Sequence, residues 1–475
     1  MEKHFHMLGI NGIGLSGVAR ILLEMGHKVT GSDPVSSEIT HRLQALGAVI
    51  YHEHHGDNLG DADCVVVSSA IACDNPEVIE ARRRGIPIRH RAQILGYIMS
   101  QRTGIAISGT HGKTTTSSMM ANMLYNLNID PTVVIGGRLH TINTNARLGT
   151  SPYMVVEADE SDASFLHMDP RWIVVTSVDV DVNLNVAPYS HLNFDYDKTL
   201  GKVKEAFFEF IDRLPEDGRA ILCIDDDNIR DMLPQIQKPY LTYGFSSDAH
   251  LQAQIISMEG FGSVSRVYLD GRELGLLKIP CPGRHNVANA LAVIGVGLEM
   301  GLDFEQMAEA LYRFNGVGRR FEKLGEYEDI MVFDDYAHNP GKIRALLHGA
   351  RTGGRKRVVA VFQPHRYTRT KFLFEDFTHS FGDADTLVIT DIYPAGECPI
   401  VGVRGETLAR AIENSHKRPE EVYFIPGPDE IVEFLEKYSR PGDIVITCGA
   451  GDIHRVGTKF AQRLPRMGKE RLAAG

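Results

Sequence analysis

A chain of 475 residues is too long for one ordinary domain and predicts two to four. Hydrophobic residues at 43% and charged residues at 23% support packed cores and exclude a disordered chain. The formal charge of −11, with no compensating basic face, disfavours a nucleic-acid partner, and none is expected.

Alternating apolar runs and amphipathic stretches predict β-α repeats around parallel sheets, an α/β fold. A strand over 5–8 leads through a glycine turn into a helix ending near Gly26. Strands at 28–30, 64–67 and around Ile88 complete a first domain, 1–98. Within it, Arg82-Arg83-Arg84 before Gly85 reads as the polar end of a helix, and His52-Glu53-His54-His55 as an exposed polar turn. A second domain, 99–315, opens with the apolar run 104–107. Strands at 154–156, 172–175 and 220–223 follow, then strand-like alternation over 251–276 and a helix opened by 281–290. Trp172 is expected in its core. A third domain, 316–475, carries strands at 330–333, 358–362, 386–390 and 444–447, and a frayed basic tail from Arg463. Cysteines 64, 73, 223, 281, 398 and 448 form no CxxC pair, which predicts reduced thiols and a cytoplasmic location. No apolar stretch is long enough to span a bilayer, so neither a signal peptide nor membrane insertion is expected.

The most specific chemical signal is Gly109-Thr110-His111-Gly112-Lys113-Thr114-Thr115, directly after the apolar run and before a helix expected over 117–127. A strand, a glycine bend and a helix start form a phosphate site. Backbone N–H groups face the phosphates, Lys113 supplies a mobile charge, and the Thr114 hydroxyl completes a magnesium shell. The loop is shortened, since the general pattern places glycine where Ile107 stands. Gly9, Gly12, Gly14 and Gly17, with Asp33 after the next strand, offer a diphosphate close backbone approach and a helix dipole. On that motif alone NAD, FAD and a UDP-sugar all remain open, although the second phosphate loop weighs against an NAD oxidoreductase.

Glu157-Ala158-Asp159-Glu160-Ser161-Asp162 follows a strand, and its carboxylates repel unless cations or solvent compensate. One of them is expected to reach the magnesium at Thr114. Asp179, Asp181, Asn183 and Asn185 form either a second cation site or a polar loop. Arg319-Arg320, Asp334-Asp335-Tyr336-Ala337-His338-Asn339-Pro340 and Gln363-Pro364-His365-Arg366-Tyr367 fall at strand ends or just before them. Together they predict one shared site, with cations for a γ-phosphate and groups that orient an acceptor. Cys281 has no evident base partner.

These stretches resemble the Mur ligases, the ATP-dependent amide-bond ligases of bacterial peptidoglycan synthesis. The glycine turn, the phosphate loop, Glu157–Leu166, Pro282–Asn289, Gly316–Arg320, Asp334–Pro340, Gln363–Tyr367, Asp391–Glu397 and Gly449–Ile453 carry the likeness in order along the chain. The resemblance implies three domains: a Rossmann-like UDP-sugar domain, a central P-loop ATPase and a C-terminal Rossmann-like closure domain. It is nearest the members that join L-alanine to the lactyl carboxylate of UDP-N-acetylmuramate through an acyl phosphate, with ATP and Mg2+. It implies that Gly109, Thr110, Gly112, Lys113, Thr114 and Thr115 hold the phosphates, with Lys113 bridging β and γ. Thr114, Glu160 and Asp181 would hold magnesium, and His285, Asn286 and Asn289 would lie at the adenine. Arg320 and Asp335 would contact the nucleotide, and His338, His365 and Arg366 would line the acceptor side. Gly12, Gly14 and Ser69 would meet the uridine diphosphate. A monomer or weak homodimer is expected. Two departures stand out. Where the family carries Asn-x-Glu-x-Asp-His, this chain reads Ser177-Val178-Asp179-Val180-Asp181-Val182, and valine offers no metal nitrogen; His191 is the candidate substitute. Asn339 stands where the L-alanine-adding members commonly carry a second histidine.

Overall fold

Short apolar runs ending at glycine, serine or aspartate become strands buried on both faces, as helices on either side of a parallel sheet require. The computed structural model describes residues 3–68, 71–160, 164–180, 196–353 and 357–474. Ser69, Asp181, Val182 and His191 lie outside the described residues.

The first sheet comprises β1 (His4–Leu8), β2 (Lys28–Ser32), β3 (Val49–Tyr51), β4 (Cys64–Val67) and β5 (Ile88–His90). All are parallel, in the order β3-β2-β1-β4-β5. The second comprises β6 (Thr103–Ser108), β7 (Thr132–Leu139), β8 (Thr144–Arg147), β9 (Tyr153–Glu157), β10 (Trp172–Val175), β11 (Arg219–Cys223), β12 (Tyr240–Gly244), β13 (Leu251–Glu259), β14 (Gly262–Leu269) and β15 (Arg272–Ile279). Its order is β15-β14-β13-β12-β11-β10-β6-β9-β7-β8. The third holds β16 (Glu322–Tyr327), β17 (Ile330–Asp335), β18 (Arg357–Phe362), β19 (Thr386–Ile389), β20 (Glu421–Phe424) and β21 (Asp443–Cys448), ordered β16-β17-β21-β18-β19-β20. Only its edge pair β16–β17 is antiparallel.

By compactness the chain divides into two units. One is Met1–Ala253, Val267–Gly275 and Ala288–Phe314; the other is Gln254–Arg266, Leu276–Val287 and Asn315–Gly475. In the first unit, the helix Ile13–Glu24 of the first sheet packs on β8. A Cβ on Gly17 would come within 2.9 Å of Ala146 Cβ, so only glycine allows that approach. Arg20 Nη1 donates to Thr144 Oγ1 (2.9 Å), and Glu24 accepts from the Leu148 N–H (2.7 Å). In the second unit the alternating side chains of β18 separate two cores. Val358, Ala360 and Phe362 join Phe377, Phe381 and Leu408 on one face, while Val359 and Val361 join Ile431, Leu435 and Phe460 on the other.

Several expectations shift. The helix after the phosphate loop starts at Lys113, not near residue 117. The tail is helical from His454 to Ala474, because Val456, Phe460 and Leu464 bury one face of it against the sheet. In the expected polar turn His52, Glu53 and His55 are exposed, whereas His54 turns inward onto Ser32 and Glu77. Trp172 is buried, and all six cysteines are free thiols. Among the described residues no helix is long and apolar enough to cross a membrane.

The second unit contains a buried ion pair: Asp443 accepts from Arg357 Nε (2.8 Å) and Nη2 (2.6 Å) and from the Arg440 N–H (2.9 Å). Removing the carboxylate leaves a largely buried guanidinium without its counter-charge, which costs about 3 kcal/mol or more. Asp443→Ala is therefore expected to lower the urea midpoint of this unit, followed by circular dichroism. An unchanged midpoint would count against the pair as a structural brace.

Candidate active site

β6 ends at Ser108, flush with β10 through the pairs Ile107–Val174 and Ser108–Val175. The chain then turns through Gly109 (φ +129°) and Gly112 (φ +84°) into the helix Lys113–Asn126. A Cβ at Gly109 would meet Thr176 Oγ1 at 2.3 Å, and one at Gly112 would meet Asn289 Oδ1 at 2.8 Å. Gly112 stands at the N-cap position and has no side chain to cap the helix, a start whose dipole favours an anion. Thr110 ties the turn down: its hydroxyl donates to the Asp179 carbonyl (3.0 Å) and accepts from the Asp179 N–H (2.8 Å). The Ser177 hydroxyl accepts from the His111 N–H (2.9 Å).

Lys113 Nζ donates to the Gly109 carbonyl (2.7 Å) and to Glu160 Oε2 (2.6 Å), with Asp159 at 3.7 Å. Burial pushes the Glu160 carboxyl up to about 7 against the pull of Lys113. Despite its own desolvation, the Lys113 ammonium is held up by Glu160 and Asp159. The Thr114 hydroxyl meets a different carboxylate. It donates to Glu157 Oε1 (2.8 Å), while Glu157 Oε2 accepts from the Gly136 N–H (2.6 Å) and from Ser117 Oγ (3.5 Å). The family resemblance implies Glu160 as a magnesium ligand, whereas the structure places Glu157 beside Thr114 and Glu160 on Lys113. Among the described residues no three His, Cys, Asp or Glu side chains converge as a ready metal cage. A hydroxyl and a carboxylate beside an uncapped helix start nevertheless fit a hard cation that arrives with phosphates.

A cleft of about 340 Å³ adjoins this loop within the first unit. Gly9, Gly12, Gly14, Ser68, His90 and Arg91 line it from the first sheet, and Gly136, Asn145, Glu157 and Asp159 from the second. The predicted Gly12 and Gly14 are therefore present. Arg91 lies so close to Gly14 that a Cβ there would be 3.2 Å from its Nη1. His90 and Arg91 are absent from the sequence-derived set, although His90 ends β5 and Arg91 follows it, at the same strand end that marks the other sites. Asp33 is committed elsewhere: it accepts from the N–H groups of Asn11 (3.1 Å) and Val35 (2.9 Å) and so shapes the glycine turn.

Further along, the helix Arg284–Glu299 opens with His285 and Asn286. The Asn286 amide donates to the Pro282 carbonyl (2.7 Å), and burial lowers the His285 pKa. Asn289, one turn on, faces Gly112. Burial pushes the nearby Cys281 thiol up to about 12.

The second unit gathers the three expected clusters. The Tyr336 N–H donates to the Arg319 carbonyl (2.8 Å), the Arg320 guanidinium lies 4.8 Å from the Tyr336 ring centre, and the rings of His338 and His365 are 6.2 Å apart. Asp335 spends its carboxylate on the N–H groups of Phe321 and Ala337 (both 2.7 Å), and burial raises its pKa. The two histidines carry opposite tautomers. His338 Nδ1 faces the Tyr336 carbonyl (2.8 Å) and must donate, leaving a lone pair on Nε2. His365 Nδ1 faces Arg369 Nη1 (2.9 Å) and must accept, leaving its proton on Nε2, while its ring stacks on Tyr393 (5.5 Å, 8°). Burial and neighbouring cations lower both, His365 to about 4. Arg366 adopts φ +69° at the start of the helix Tyr367–Phe372, with Glu397 Oε1 3.7 Å from its Nη1.

Three family models cover this chain: the Mur ligase family catalytic domain at residues 4–103, the Mur ligase middle domain at 107–297 and the Mur ligase glutamate ligase domain at 319–451. The chain belongs to the Mur ligase family. This Mur ligase has the family's three-domain α/β architecture. It is 48% identical over 462 residues to the UDP-N-acetylmuramate–L-alanine ligase of Geotalea daltonii, covering 97% of this chain and 98% of that one. The enzyme of the same name from Geobacter sp. strain M21 is 47% identical over 463 residues, with coverages of 97% and 98%. The crystal structure of UDP-N-acetylmuramate–alanine ligase from Thermotoga maritima superposes with a TM-score of 0.77 at 29% identity, covering 98% of this Mur ligase and 100% of that chain.

Two outcomes follow from this geometry. Gly112→Ala strains a left-handed position and drives a Cβ toward Asn289, so ATP affinity measured by calorimetry should fall at least about tenfold; unchanged affinity would remove the glycine cradle from the binding account. Because the folded pKa of His365 lies near 4, below its ordinary 6.5, the unfolded chain takes up this proton first as pH falls. The stability contributed by neutral His365 is complete above pH 6.5 and is lost toward pH 4. His365→Gln should flatten that part of the pH dependence in urea titrations.

Proposed function

We propose that this Mur ligase joins L-alanine to the lactyl carboxylate of UDP-N-acetylmuramate, with ATP consumed to form an acyl phosphate. The observation that carries the reading is the full-length likeness to enzymes of that name. The uncapped, glycine-cradled helix start at Lys113 supplies the matching chemistry. A carboxylate resists attack by an amine until one oxygen becomes a good leaving group; phosphorylation supplies it, and phosphate departs as the amide forms.

In this reading Gly109, Thr110, Gly112 and Thr115 shape the phosphate cradle, and Lys113 exchanges Glu160 for β- and γ-phosphate oxygens. Thr114 and Glu157 would hold magnesium, whose bound charge neutralises the phosphates. Gly12, Gly14 and Arg91 meet the uridine diphosphate, with Ser69 on the adjoining loop. The adenine falls to His285, Asn286 and Asn289. Arg320 would contact the nucleotide, while His338, His365 and Arg366 serve the acceptor and the developing charge: neutral His365 donates from Nε2, and Arg366 supplies a fixed cation. Asp335 braces its own loop. The domains divide near residues 98 and 315, and the enzyme acts in the cytoplasm as a monomer or weak homodimer.

The reading is tested by coupled assay of ADP release with UDP-N-acetylmuramate, Mg2+ and each amino acid in turn. L-alanine should support turnover, and ADP release only with another amino acid would overturn the acceptor assignment. Lys113→Ala should lower kcat by roughly 10²–10³ or more. Near-normal turnover in that variant would sink the phosphate role.

A further inference from the structure

A buried polar chain that the ligation chemistry does not use lies beneath the glycine turn of the cleft. Glu77 sits in the first turn of the helix Pro76–Arg84, and its side chain is wholly buried. Four groups converge on its carboxylate: Ser32 Oγ (2.5 Å), Asn58 Nδ2 (2.8 Å), His54 Nδ1 (3.0 Å) and His6 Nε2 (3.4 Å). Burial alone would raise the carboxyl; these partners instead hold it down at about 2. Glu77 is therefore an anion inside the domain, further favoured by the helix start.

The chain continues outward. His6 Nδ1 lies 2.7 Å from Thr30 Oγ1, which lies 2.9 Å from His4 Nε2, and His4 Nδ1 lies 2.8 Å from Asp61 Oδ1. Proton counting restricts the charge states. The two ring nitrogens facing Asp61 and Glu77 must carry protons, because a lone pair there would oppose a carboxylate. Thr30 has one hydroxyl proton for two ring nitrogens, so one of those must donate to its oxygen. The two rings then hold three protons, which makes one of them an imidazolium. Lys28 and Asp63 stand at the outer end with Asp61, His54 stands at the inner end with Glu77, and the Tyr51 ring lies against His6. Burial and Lys28 lower the proton affinity of His4.

Ser32 joins this chain to the cleft. Its hydroxyl is held by Glu77, and its carbonyl accepts the N–H groups of Gly9 (2.8 Å) and Ile10 (3.3 Å). We propose that Glu77 positions the glycine turn of the UDP-sugar cleft through Ser32, with one imidazolium in the His4–Thr30–His6 chain as its counter-charge. This inference rests on reading that cleft as the UDP-sugar site.

The experiment compares the full-length protein with Glu77→Gln and Ser32→Ala by calorimetric titration with UDP-N-acetylmuramate and, separately, ATP. Histidine 15N NMR is recorded in parallel, with His4→Gln and His6→Gln for assignment. Both variants should bind UDP-N-acetylmuramate about tenfold more weakly, with ATP affinity within about twofold of the parent. The parent should show one imidazolium persisting at pH 8. It should disappear in Glu77→Gln and survive in Ser32→Ala, a split that general destabilisation does not produce. Undiminished UDP-N-acetylmuramate affinity in folded Ser32→Ala, or two neutral rings at pH 8 in the parent, overturns the proposal. A parent that binds ATP but not UDP-N-acetylmuramate overturns instead the reading of the cleft on which the proposal rests.

Discussion

The nucleotide end of this molecule depends on a helix that begins without a cap. Its N-cap position is Gly112, which has no side chain to cap Lys113–Asn126, and a helix start of that kind favours an anion. The chain reaches that start through a turn too tight for any Cβ at Gly109 or Gly112, and both glycines have positive φ. The turn is in turn set by β6 and β10 ending flush, which brings Thr176 and Ser177 against it. Lys113 completes the arrangement by lying back on Gly109 and Glu160, a cation stored beside the place where phosphate charge would compensate it.

Much of the fold was legible because parallel strands buried on both faces leave uninterrupted apolar runs. Residues 64–67 and 172–175 form strands with those bounds, as read from the sequence. Edge strands left weaker traces: β16, Glu-Lys-Leu-Gly-Glu-Tyr, has no apolar run to read. The helix start was misplaced by four residues, from Lys113 to residue 117, because Thr114, Thr115 and Thr116 are poor helix formers. The turn geometry and the burial of Thr114 and Thr116 override that propensity.

The site was legible as strand ends and less so as individual contacts. Arg319-Arg320, His338 and His365 do gather in one unit, as their positions after or beside strands suggested. Spacing within an acidic run does not say which carboxylate points at the loop. Glu157 is the last residue of β9 and is directed by the pleat, whereas Glu160 lies beyond it. Nor does sequence reveal that Asp33 and Asp335 are consumed by backbone N–H groups, or that two histidines in one cluster hold their protons on opposite nitrogens. Those facts depend on how each loop folds back on itself, since Val35, Ala337, Tyr336 and Arg369 are all within four residues of the group they engage. In each case a buried polar group takes the nearest complementary atom, which removes it from the pool available to a ligand.

Glu157 has a consequence for how the ligands communicate. One of its oxygens is engaged by Thr114 at the phosphate loop, and the other by the backbone of Gly136 on the wall of the adjoining cleft. A Cβ at Gly136 would come within 2.6 Å of the same carboxylate and push it aside. A ligand that recruits or displaces either oxygen alters what remains for the other side, and linkage makes the effect reciprocal. The same side chain belongs to both compartments, so any change in affinity it transmits between their ligands must be equal in both directions.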